Sequence, residues 1–549
     1  MTKLIVLLCA VAVGHLVVGQ SPYVVTSQGT MRGKVLSSRD GRDYFSFTKI
    51  PYAKPPVGER RFMISEKADN WTGILDATQP IPSCFQSGYF RGQGFSGQED
   101  CLYLNVFTPN ITGRYPVIFA IYGGAFKAGS AAGLGSGKYF MDEDVVLVIP
   151  NYRVGNLGFL SLEDNVIPGN MGLKDQALAL EWVHQEISAF GGDPNLITVM
   201  GQSSGGASSD LICEAPRTNG LIKGCISQSG VGWSSWAILR PGVARQLALK
   251  MAKTVGCNET GDLLKCLQSK PVELVGDIYL LQDNTRILSL VSPVLEPTTA
   301  PGAILTSWPT TANHSFPWIA GVCQDDGLLF TGMYESHSMS PEETDKFIKN
   351  FNQTIVYELY LENRTDEFET IYQKFFTNGD EPLIAIRKFL TEYMFVQPAL
   401  KGISKHPGPA YYYNFNFTGE SQPGLRNVTG VGHGAEMHYL FESSYRNITA
   451  PEDVKLSKLL VKMWVNFARD QTPSSKDMVQ WSQFEGQTRY YLDIKNSGNS
   501  VLVLTQYQEI IDFWKTIFPD QSSESSMSHS PLLYMPALGI ITVNKELFP

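Results

Sequence analysis

The chain has 549 residues, of which 43% are hydrophobic and 18% are charged, a composition typical of a globular protein with a large core. Its 53 Asp and Glu residues outnumber its 44 Lys and Arg residues, so the net charge is −9. This charge disfavours nucleic-acid binding, because contact with a phosphate backbone requires a basic surface. The interior has no low-complexity run and no repeat at solenoid or propeller spacing, which favours a single large domain.

The N-terminus predicts entry into the secretory pathway. Lys3 precedes an uncharged run over residues 4–18, and Gly19 provides a small residue at which a signal peptidase could cut. The run is short for a transmembrane helix, so residues 1–19 are interpreted as a signal peptide and residues 20–521 as the secreted domain. Secretion would expose the Asn-x-Ser/Thr sites to glycosylation. These sites are Asn70, Asn110, Asn258, Asn313, Asn352, Asn363, Asn416, Asn427 and Asn447.

Cysteine spacing also fits an oxidising compartment. Three pairs lie close enough in sequence to close short disulfide loops, namely Cys84 with Cys101, Cys257 with Cys266, and Cys213 with Cys225. Cys323 would then remain as a buried thiol. A metal site is disfavoured, because no cysteine pair has the short C-x-x-C spacing and no histidine cluster accompanies the cysteines.

Strands and helices are predicted to alternate from residue 115 onward. Residues 115–122 and 144–150 are nearly all apolar, as expected for strands buried on both faces of a parallel sheet. Residues 174–189 carry apolar side chains at helical spacing, and residues 191–194 then turn the chain into the apolar run 196–200. This succession is a βαβ unit, so the predicted fold class is α/β.

A serine between two glycines follows the last of these strands. In Gly201-Gln202-Ser203-Ser204-Gly205 the chain is expected to turn sharply into a helix, which leaves the Ser203 hydroxyl exposed at the helix N-terminus. Glycine is expected on both sides because larger side chains would clash in so tight a turn. The pattern is the sequence form of a nucleophile elbow. It indicates a catalytic serine only if a base, an acid and oxyanion donors are also present in the chain.

The loop after the strand at 115–122 can supply donors for an oxyanion. Gly123-Gly124-Ala125-Phe126 is a small-residue loop whose backbone N–H groups can approach a tetrahedral oxygen. Gly124 and Ala125 are the predicted donors, and the N–H of Ser204 is the third. The alternative is a plain glycine turn at a strand end, which the elbow makes less favourable.

Two aspartates are candidates for the acid that orients a histidine base. Residues 319–323 predict a short buried strand, and Asp325 and Asp326 follow at its C-terminal end. Either carboxyl group fits, and spacing alone leaves the choice open, because paired aspartates at strand ends are also common in turns.

His433 is the candidate base. It lies among glycines in the stretch from Gly430 to Glu436, which leaves its ring room to reach the serine. His438 is the nearest competitor, but it lies where a regular element begins and is interpreted as a packed residue. Three other histidines are interpreted as surface or packing residues, namely His184, His314 and His529.

The C-terminal tail, residues 522–549, is predicted to be soluble. Residues 522–530 are polar and residues 532–542 are apolar, but Asn544, Lys545 and Glu546 follow. A lipid-anchor signal requires the apolar stretch to continue to the end of the chain, so no stable membrane anchor is expected.

Several long motifs, taken in order, resemble the type-B carboxylesterase/lipase family, the branch of the α/β-hydrolases that includes cholinesterases and insect juvenile hormone esterases. They are IPYAKPPVG at 50–58, RF at 61–62, EDCLYLNV at 99–106, NMGLKDQ at 170–176 and FGGDP at 190–194, which leads to the elbow. The resemblance covers nearly the whole mature chain. It implies a single α/β-hydrolase domain whose central, mostly parallel sheet is flanked by helices.

The resemblance implies a serine ester hydrolase that acts on a small-molecule ester through an acyl-enzyme. It assigns Ser203 as nucleophile, His433 as base and Asp326 as acid, because the family places its acid directly before the glycine that is here Gly327. Most relatives carry glutamate there, so Asp326 departs from the pattern and Asp325 remains the alternative. The implied disulfides are Cys84–Cys101 and Cys257–Cys266. Neither a metal nor an organic cofactor is implied.

The resemblance disfavours a choline ester as substrate. Cholinesterases resemble one another in a tryptophan within the first disulfide loop and a glutamate beside the nucleophile, both suited to a quaternary ammonium group. Residues 85–100 contain no tryptophan and Gln202 is neutral, although Phe90 could provide a weaker cation–π face.

Gln202 instead resembles the glutamine that juvenile hormone esterases carry before the nucleophile. Their Arg-Phe, Asp-Gln and Gly-x-x-His-x-x-Glu motifs are also present, but these recur across general carboxylesterases, and Ser204 replaces the usual alanine. One hypothesis is therefore hydrolysis of juvenile-hormone-like lipophilic methyl esters, and the other is a general, pheromone-directed or xenobiotic-directed carboxylesterase. A non-catalytic adhesion module of the same fold is disfavoured, because Ser203 and His433 are both present.

Overall fold

The computed structural model describes most of the chain between Ser21 and Phe518. The described residues are 21–88, 94–259, 261–281, 291–309, 314–359, 361, 364–420, 428–442, 448–475, 480–485, 489–495, 501–504 and 507–518. The predicted signal peptide (1–19) and tail (522–549) lie outside them. So do Phe90, His529 and the sites Asn313, Asn363, Asn427 and Asn447.

Most strands join one large mixed sheet. In chain order the strands are β1 (Tyr23–Thr26), β2 (Gly29–Arg32), β3 (Lys34–Ser37), β4 (Asp43–Pro51), β5 (Ile74–Asp76), β6 (Gln86–Ser87), β7 (Phe95–Ser96), β8 (Tyr103–Thr108), β9 (Tyr115–Ile121), β10 (Val146–Pro150), β11 (Gly192–Gln202), β12 (Gly224–Gln228), β13 (Trp318–Cys323), β14 (Ala410–Asn416), β15 (Tyr490–Lys495) and β16 (Val501–Leu504). Eleven of them form a sheet in the order β16-β15-β14-β13-β12-β11-β9-β10-β8-β4-β3. The neighbours from β15 to β10 are parallel, and antiparallel strands close both edges.

Helices lie between successive strands from β9 to β15, and the last helix follows the last strand. They are α1 (Ala131–Leu134), α2 (Gly155–Phe159), α3 (Met171–Glu186), α4 (Ser204–Glu214), α5 (Val243–Thr254), α6 (Leu263–Gln268), α7 (Val272–Val275), α8 (Leu328–Glu335), α9 (Pro341–Leu359), α10 (Thr365–Phe376), α11 (Pro382–Thr391), α12 (Gln397–Lys405), α13 (Met437–Leu440), α14 (Pro451–Asp470) and α15 (Tyr507–Ile517). A π-helical turn, Glu392–Val396, links α11 to α12. In the described part of the chain, no helix has both the length and the apolar character that a membrane span requires.

The central sheet is buried on both faces, as β9 shows. Val117, Phe119 and Ile121 belong to one apolar cluster, whereas Ile118 and Ala120 belong to a second. Because successive strand residues point to opposite faces, the two clusters lie on opposite sides of the sheet. Helices α3 and α4 contribute to the first cluster and α14 contributes to the second. The predicted α/β class, with a mostly parallel sheet flanked by helices, is confirmed.

The predicted elements before the elbow agree with the structure except at their ends. The strands predicted at 115–122 and 144–150 are β9 and β10. The helix predicted at 174–189 begins earlier, at Met171, and its last turn is a separate 3-10 helix, Ile187–Phe190. Strand β11 begins at Gly192, so part of the predicted turn is already extended.

Both disulfides that the resemblance implied are present. Cys84 is bonded to Cys101, and Cys257 is bonded to Cys266. The third loop that spacing allowed is not formed, because Cys213 and Cys225 are free thiols. Both lie within the apolar core, where a thiol packs as a small hydrophobic group. Cys323 is also a buried free thiol, as predicted.

Candidate active site

Ser203 occupies the sharp turn that the sequence predicts between a strand and a helix. Strand β11 ends at Gln202 and α4 begins at Ser204, and Ser203 between them has φ 59° and ψ −128°. A positive φ is unfavourable for a residue with a side chain, so the surrounding contacts must hold it. The N–H of Ser203 donates to the carbonyl of Gln228 at 2.7 Å, and its carbonyl accepts from the N–H of Ala207 at 2.9 Å.

Close packing explains the two glycines of the elbow. A Cβ on Gly205 would lie 2.2 Å from the carbonyl oxygen of Ile121, and one on Gly201 would lie 2.2 Å from the carbonyl oxygen of Gly205. Both distances are far below any real contact of a Cβ atom. Helix α4 can therefore begin against the end of β9 only if both residues lack a side chain.

The predicted oxyanion loop lies directly against Ser203. A Cβ on Gly123 would lie 2.9 Å from the Cβ of Ser203. Gly124, Ala125 and Phe126 all have positive φ, at 135°, 54° and 60°. Among the backbone hydrogen bonds of the described residues, none uses the N–H of Gly124 or Ala125. The loop thus packs against Ser203 at Gly123, and the two N–H groups that follow have no backbone acceptor among the described residues.

Asp326 and His433 meet through a short hydrogen bond. The Nδ1 atom of His433 lies 2.7 Å from Oδ1 of Asp326, whose side chain is fully buried. The second carboxylate oxygen accepts from the N–H of Cys323 at 2.9 Å. A carboxylate that is fixed on both oxygens holds the imidazole in one orientation and directs its Nε2 atom away from β13.

The carboxylesterase sequence model matches residues 20–514. The chain belongs to the carboxylesterase family. It is 31% identical over 538 residues to a carboxylic ester hydrolase from Bombus ignitus, with 91% of this chain and 94% of that protein covered. It is 33% identical over 514 residues to a juvenile hormone esterase from Tribolium castaneum, with 84% and 85% covered. It is 31% identical over 533 residues to a cholinesterase from Mus musculus, with 90% and 87% covered.

Membership of the carboxylesterase family establishes the α/β-hydrolase fold and the class of reaction. The protein is a carboxylic ester hydrolase, and its substrates are small esters. The described residues contain no group of three or more His, Cys, Asp or Glu side chains that could hold a metal ion.

Gln202 contacts the edge of the His433 ring that faces away from Asp326. Its Nε2 atom lies 3.1 Å from Nε2 of His433, the ring nitrogen opposite Asp326. The Gln202 side chain fits between the loop at Gly123 and the loop at Gly434, because a Cβ on either glycine would lie within 3.3 Å of its amide. A neutral amide therefore separates the two loops beside Ser203.

Asp325 points away from the imidazole and fastens the loop that carries it. Its Oδ2 atom accepts from the N–H of Val431 at 2.9 Å, and its own N–H donates to the carbonyl of Val431 at 2.9 Å. The structure therefore distinguishes the two adjacent aspartates by their contacts, since Asp326 bonds to the ring of His433 and Asp325 bonds to the backbone beside it.

A buried carboxyl and a buried thiol lie next to Asp326, and no motif in the sequence indicates that they form a pair. The Sγ atom of Cys323 donates to Oε2 of Glu436 at 2.8 Å. Burial raises the pKa of Glu436 above the ordinary value of a glutamate. It raises the pKa of the Cys323 thiol well above the ordinary value of a cysteine. In the sequence, the only indication of this pair was Glu436 itself, which lies three residues after His433.

Aromatic rings continue from the oxyanion loop to the histidine. Phe126 lies 6.4 Å from Trp236 between ring centroids, Trp236 lies 6.1 Å from Phe395, and Phe395 lies 5.0 Å from His433. This aromatic wall, defined by Phe126, Trp236 and Phe395, is a run of apolar rings in which Phe126 and Phe395 are buried and Trp236 is half-buried.

The other candidate histidines lie elsewhere. His184 is on α3 and its Nδ1 atom lies 3.2 Å from the carbonyl of Pro194. His314 stacks on Phe316 at 3.7 Å, before the start of β13 and thus at the opposite end of that strand from Asp326. His438 lies in the short helix α13, as the sequence predicts.

Proposed function

We propose that Ser203, His433 and Asp326 are the catalytic triad of this ester hydrolase, and that Gly124, Ala125 and Ser204 form its oxyanion hole. The observation that carries the proposal is the 2.7 Å bond between Asp326 and His433, on loops adjacent to a serine held at positive φ. Acyl transfer requires a nucleophile, an oriented base and hydrogen-bond donors for the oxyanion, all at one place.

In the proposed reaction, Nδ1 of His433 donates to Asp326, so the lone pair of Nε2 is free to accept the proton of Ser203. Ser203 then attacks the ester carbonyl and backbone N–H groups stabilise the oxyanion. Protonated His433 gives its proton to the departing alcohol, and water repeats the sequence on the acyl-enzyme. Because Gln202 lies 3.1 Å from that Nε2 atom, Ser203 must take its place when the substrate binds.

The shorter acid is compatible with this role. An isolated parallel bridge pairs Asp325 with Gly432, so the backbone before Asp326 and the backbone before His433 are adjacent. This proximity supports an aspartate where most relatives carry glutamate, because the missing methylene group is compensated by the approach of the two loops.

For the substrate we propose a lipophilic, uncharged ester of the juvenile hormone class, a methyl ester with an apolar acyl chain. Gln202 places a neutral amide where a cationic alcohol would favour a carboxylate, and the aromatic wall suits an apolar group. A relative named juvenile hormone esterase is 33% identical. A broader carboxylesterase, directed at general, pheromone or xenobiotic esters, is the competing function.

The enzyme is proposed to act outside the cell. Two disulfides support this location, as do the exposed sites Asn70, Asn110 and Asn258 and the apolar run at 4–18. Expression in insect cells followed by glycosidase treatment tests it. We expect the protein in the medium, starting after residue 19, with a mass that falls on deglycosylation.

Organophosphate labelling tests the nucleophile. The intact enzyme should form one covalent adduct on Ser203, and Ser203→Ala should lose the adduct and reduce kcat by roughly 10³-fold or more. Equal labelling of Ser203→Ala would overturn the assignment. Absence of any adduct on the folded, intact protein would favour a non-catalytic binding module.

Competing substrates test the ester class. We expect kcat/KM for juvenile hormone to exceed that for naphthyl acetate. A preference for naphthyl acetate would remove the hormone proposal and leave the broader carboxylesterase. Gln202→Glu is the informative variant, because a carboxylate at this position should favour cationic over neutral esters, and the ratio of their kcat/KM values reports that preference.

A further inference from the structure

The loop that carries His433 is fastened by side chains outside the triad. Its residues from Thr429 to Gly434 form no strand, although they must place the imidazole within hydrogen-bonding distance of Asp326. Asp325 meets this loop with two hydrogen bonds to Val431 and a parallel bridge to Gly432. Asp325, which precedes Asp326, is thereby joined to the two residues that precede His433.

Arg387 extends this connection to two helices. Its Nη1 atom donates to the carbonyl of Thr429 at 3.1 Å and to Oε2 of Glu335 at 2.9 Å. Its Nε atom lies 3.5 Å from Oδ1 of Asp325. One guanidinium from α11 therefore contacts the histidine loop, the acid turn and the end of α8.

The three charged side chains are well shielded from water. Their exposed fractions are 21% for Asp325, 11% for Arg387 and 10% for Glu335. Solvent screens the attraction between charges less at such positions than at the surface. The ion pairs of Arg387 with Asp325 and Glu335 therefore help to hold these side chains in place.

Glycines allow the group to approach the loop closely. Gly430 has φ 137°, and a Cβ on it would lie 2.7 Å from Oδ2 of Asp325. A Cβ on Gly327 would lie 2.2 Å from the carbonyl oxygen of Arg387, so α11 also abuts the residue after Asp326. The N–H of Gly327 donates to Oγ1 of Thr391 on the same helix at 2.9 Å.

We propose that Asp325, Arg387 and Glu335, together the Asp325 clamp, are positioning residues that set the distance between Asp326 and His433. They act through the backbone on either side of the reacting pair, and they do not touch the substrate carbonyl. The proposal rests on the proposed triad. A loosened clamp should slow acylation because small displacements of a base lower the rate of proton transfer.

Matched variants test the clamp. Asp325→Ala removes the charge and the side-chain hydrogen bond from the N–H of Val431. Asp325→Asn removes the charge but keeps an acceptor for that N–H. Arg387→Met removes the guanidinium, and Arg387→Lys keeps one cation without the fork. Arg217→Gln is the control, because Arg217 pairs with Glu181 at 2.7 Å with exposed fractions of 22% and 23%.

The readouts are kcat, KM and the rate of organophosphate inactivation of the full-length secreted protein, with naphthyl acetate as substrate. We expect Asp325→Ala and Arg387→Met to lower kcat and the inactivation rate by about 10- to 100-fold, with KM within about twofold. Asp325→Asn and Arg387→Lys should lose less than their partner variants, and Arg217→Gln should match the native enzyme.

Two results would overturn the clamp. In the first, all four variants, Asp325→Ala, Asp325→Asn, Arg387→Met and Arg387→Lys, have the same kcat as the control Arg217→Gln. The other is an increase in KM at unchanged kcat. If Asp325→Ala or Arg387→Met fails to fold, the milder variants still decide the question. Ser203→Ala is measured in parallel, because full activity in that variant would refute the triad itself, whereas its inactivity with unaffected clamp variants refutes only the clamp.

Discussion

The two sides of the active site are held by different kinds of contact. On the nucleophile side, added methyl groups at Gly201 or Gly205 would lie 2.2 Å from backbone oxygens. On the acid–base side, polar side chains fasten the loop, and a Cβ on Gly432 would find Leu328 at an ordinary 3.5 Å. Excluded volume therefore restricts the turn at Ser203 on both of its flanks, whereas at Gly432, directly before His433, the loop is held by polar contacts and has room for a methyl group.

The largest expected effect separates the two adjacent aspartates of the acid–base side. Asp326→Asn should lower kcat by about 10⁴-fold, because an amide no longer fixes the productive tautomer of His433. Asp325→Asn should lose about tenfold or less, since it only loosens the loop. Steady-state kinetics on both purified variants checks this. Full turnover in Asp326→Asn with loss in Asp325→Asn would reverse the assignment.

A pair of alanine substitutions tests the contrast in volume. Gly205→Ala should destabilise the protein by about 1–3 kcal/mol or more and abolish organophosphate labelling, because the methyl group must push α4 away from β9. Gly432→Ala should keep labelling and stability near native values, although it lies next to His433. Thermal unfolding and labelling are measured on both. Equal damage at the two positions would mean that volume restricts both sides alike.

Cys323 tests the polar support behind the acid. Cys323→Ala removes the donor to Oε2 of Glu436 and should lower the free energy of unfolding by about 1–3 kcal/mol. Cys323→Ser keeps a donor and should recover part of that loss. Denaturant unfolding compares the two. No difference between alanine and serine would show that the thiol serves only as apolar filling.

The smallest expected effect on activity concerns a buried carboxyl on the nucleophile side, which should change the pH dependence of stability. Asp210 on α4 is 1% exposed, and burial raises its pKa from 3.8 to about 7. A raised carboxyl pKa contributes stability that is present below the unfolded value and lost as pH rises through the folded value. Native melting temperature should therefore fall between about pH 4 and pH 7, whereas Asp210→Asn should fall less. Parallel pH profiles of the two proteins would contradict this.

The local geometry of the proposed nucleophile side, a sharp turn between a strand and a helix, was predictable from sequence because its signals are local. Gly201 and Gly205 flank Ser203 within five residues, and the oxyanion loop follows its own apolar strand directly. Turn chemistry of this kind depends on neighbouring residues, so a short window contains it. The strands predicted at 115–122 and 144–150 and the helix predicted at 174–189 were found for the same reason, and only their ends differed.

The acid–base side was predictable only in part. Asp325 and Asp326 both follow β13, and the choice between them depends on a contact with a residue 107 positions away. Arg387 carries no local signal at all, since its partners Glu335 and Thr429 lie 52 and 42 positions away. Such contacts arise from tertiary packing, which hydrophobic periodicity and motif spacing do not encode.

The Asp325 clamp also restricts how this chain can be recombined with its relatives. Asp325 and Glu335 precede α9, and Arg387 follows α10. A single crossover between residues 335 and 387 would take the acids from one parent and the arginine from the other. Exchange of α9 and α10 as one cassette takes all three from the same parent, so this segment is the natural unit for building chimeric esterases.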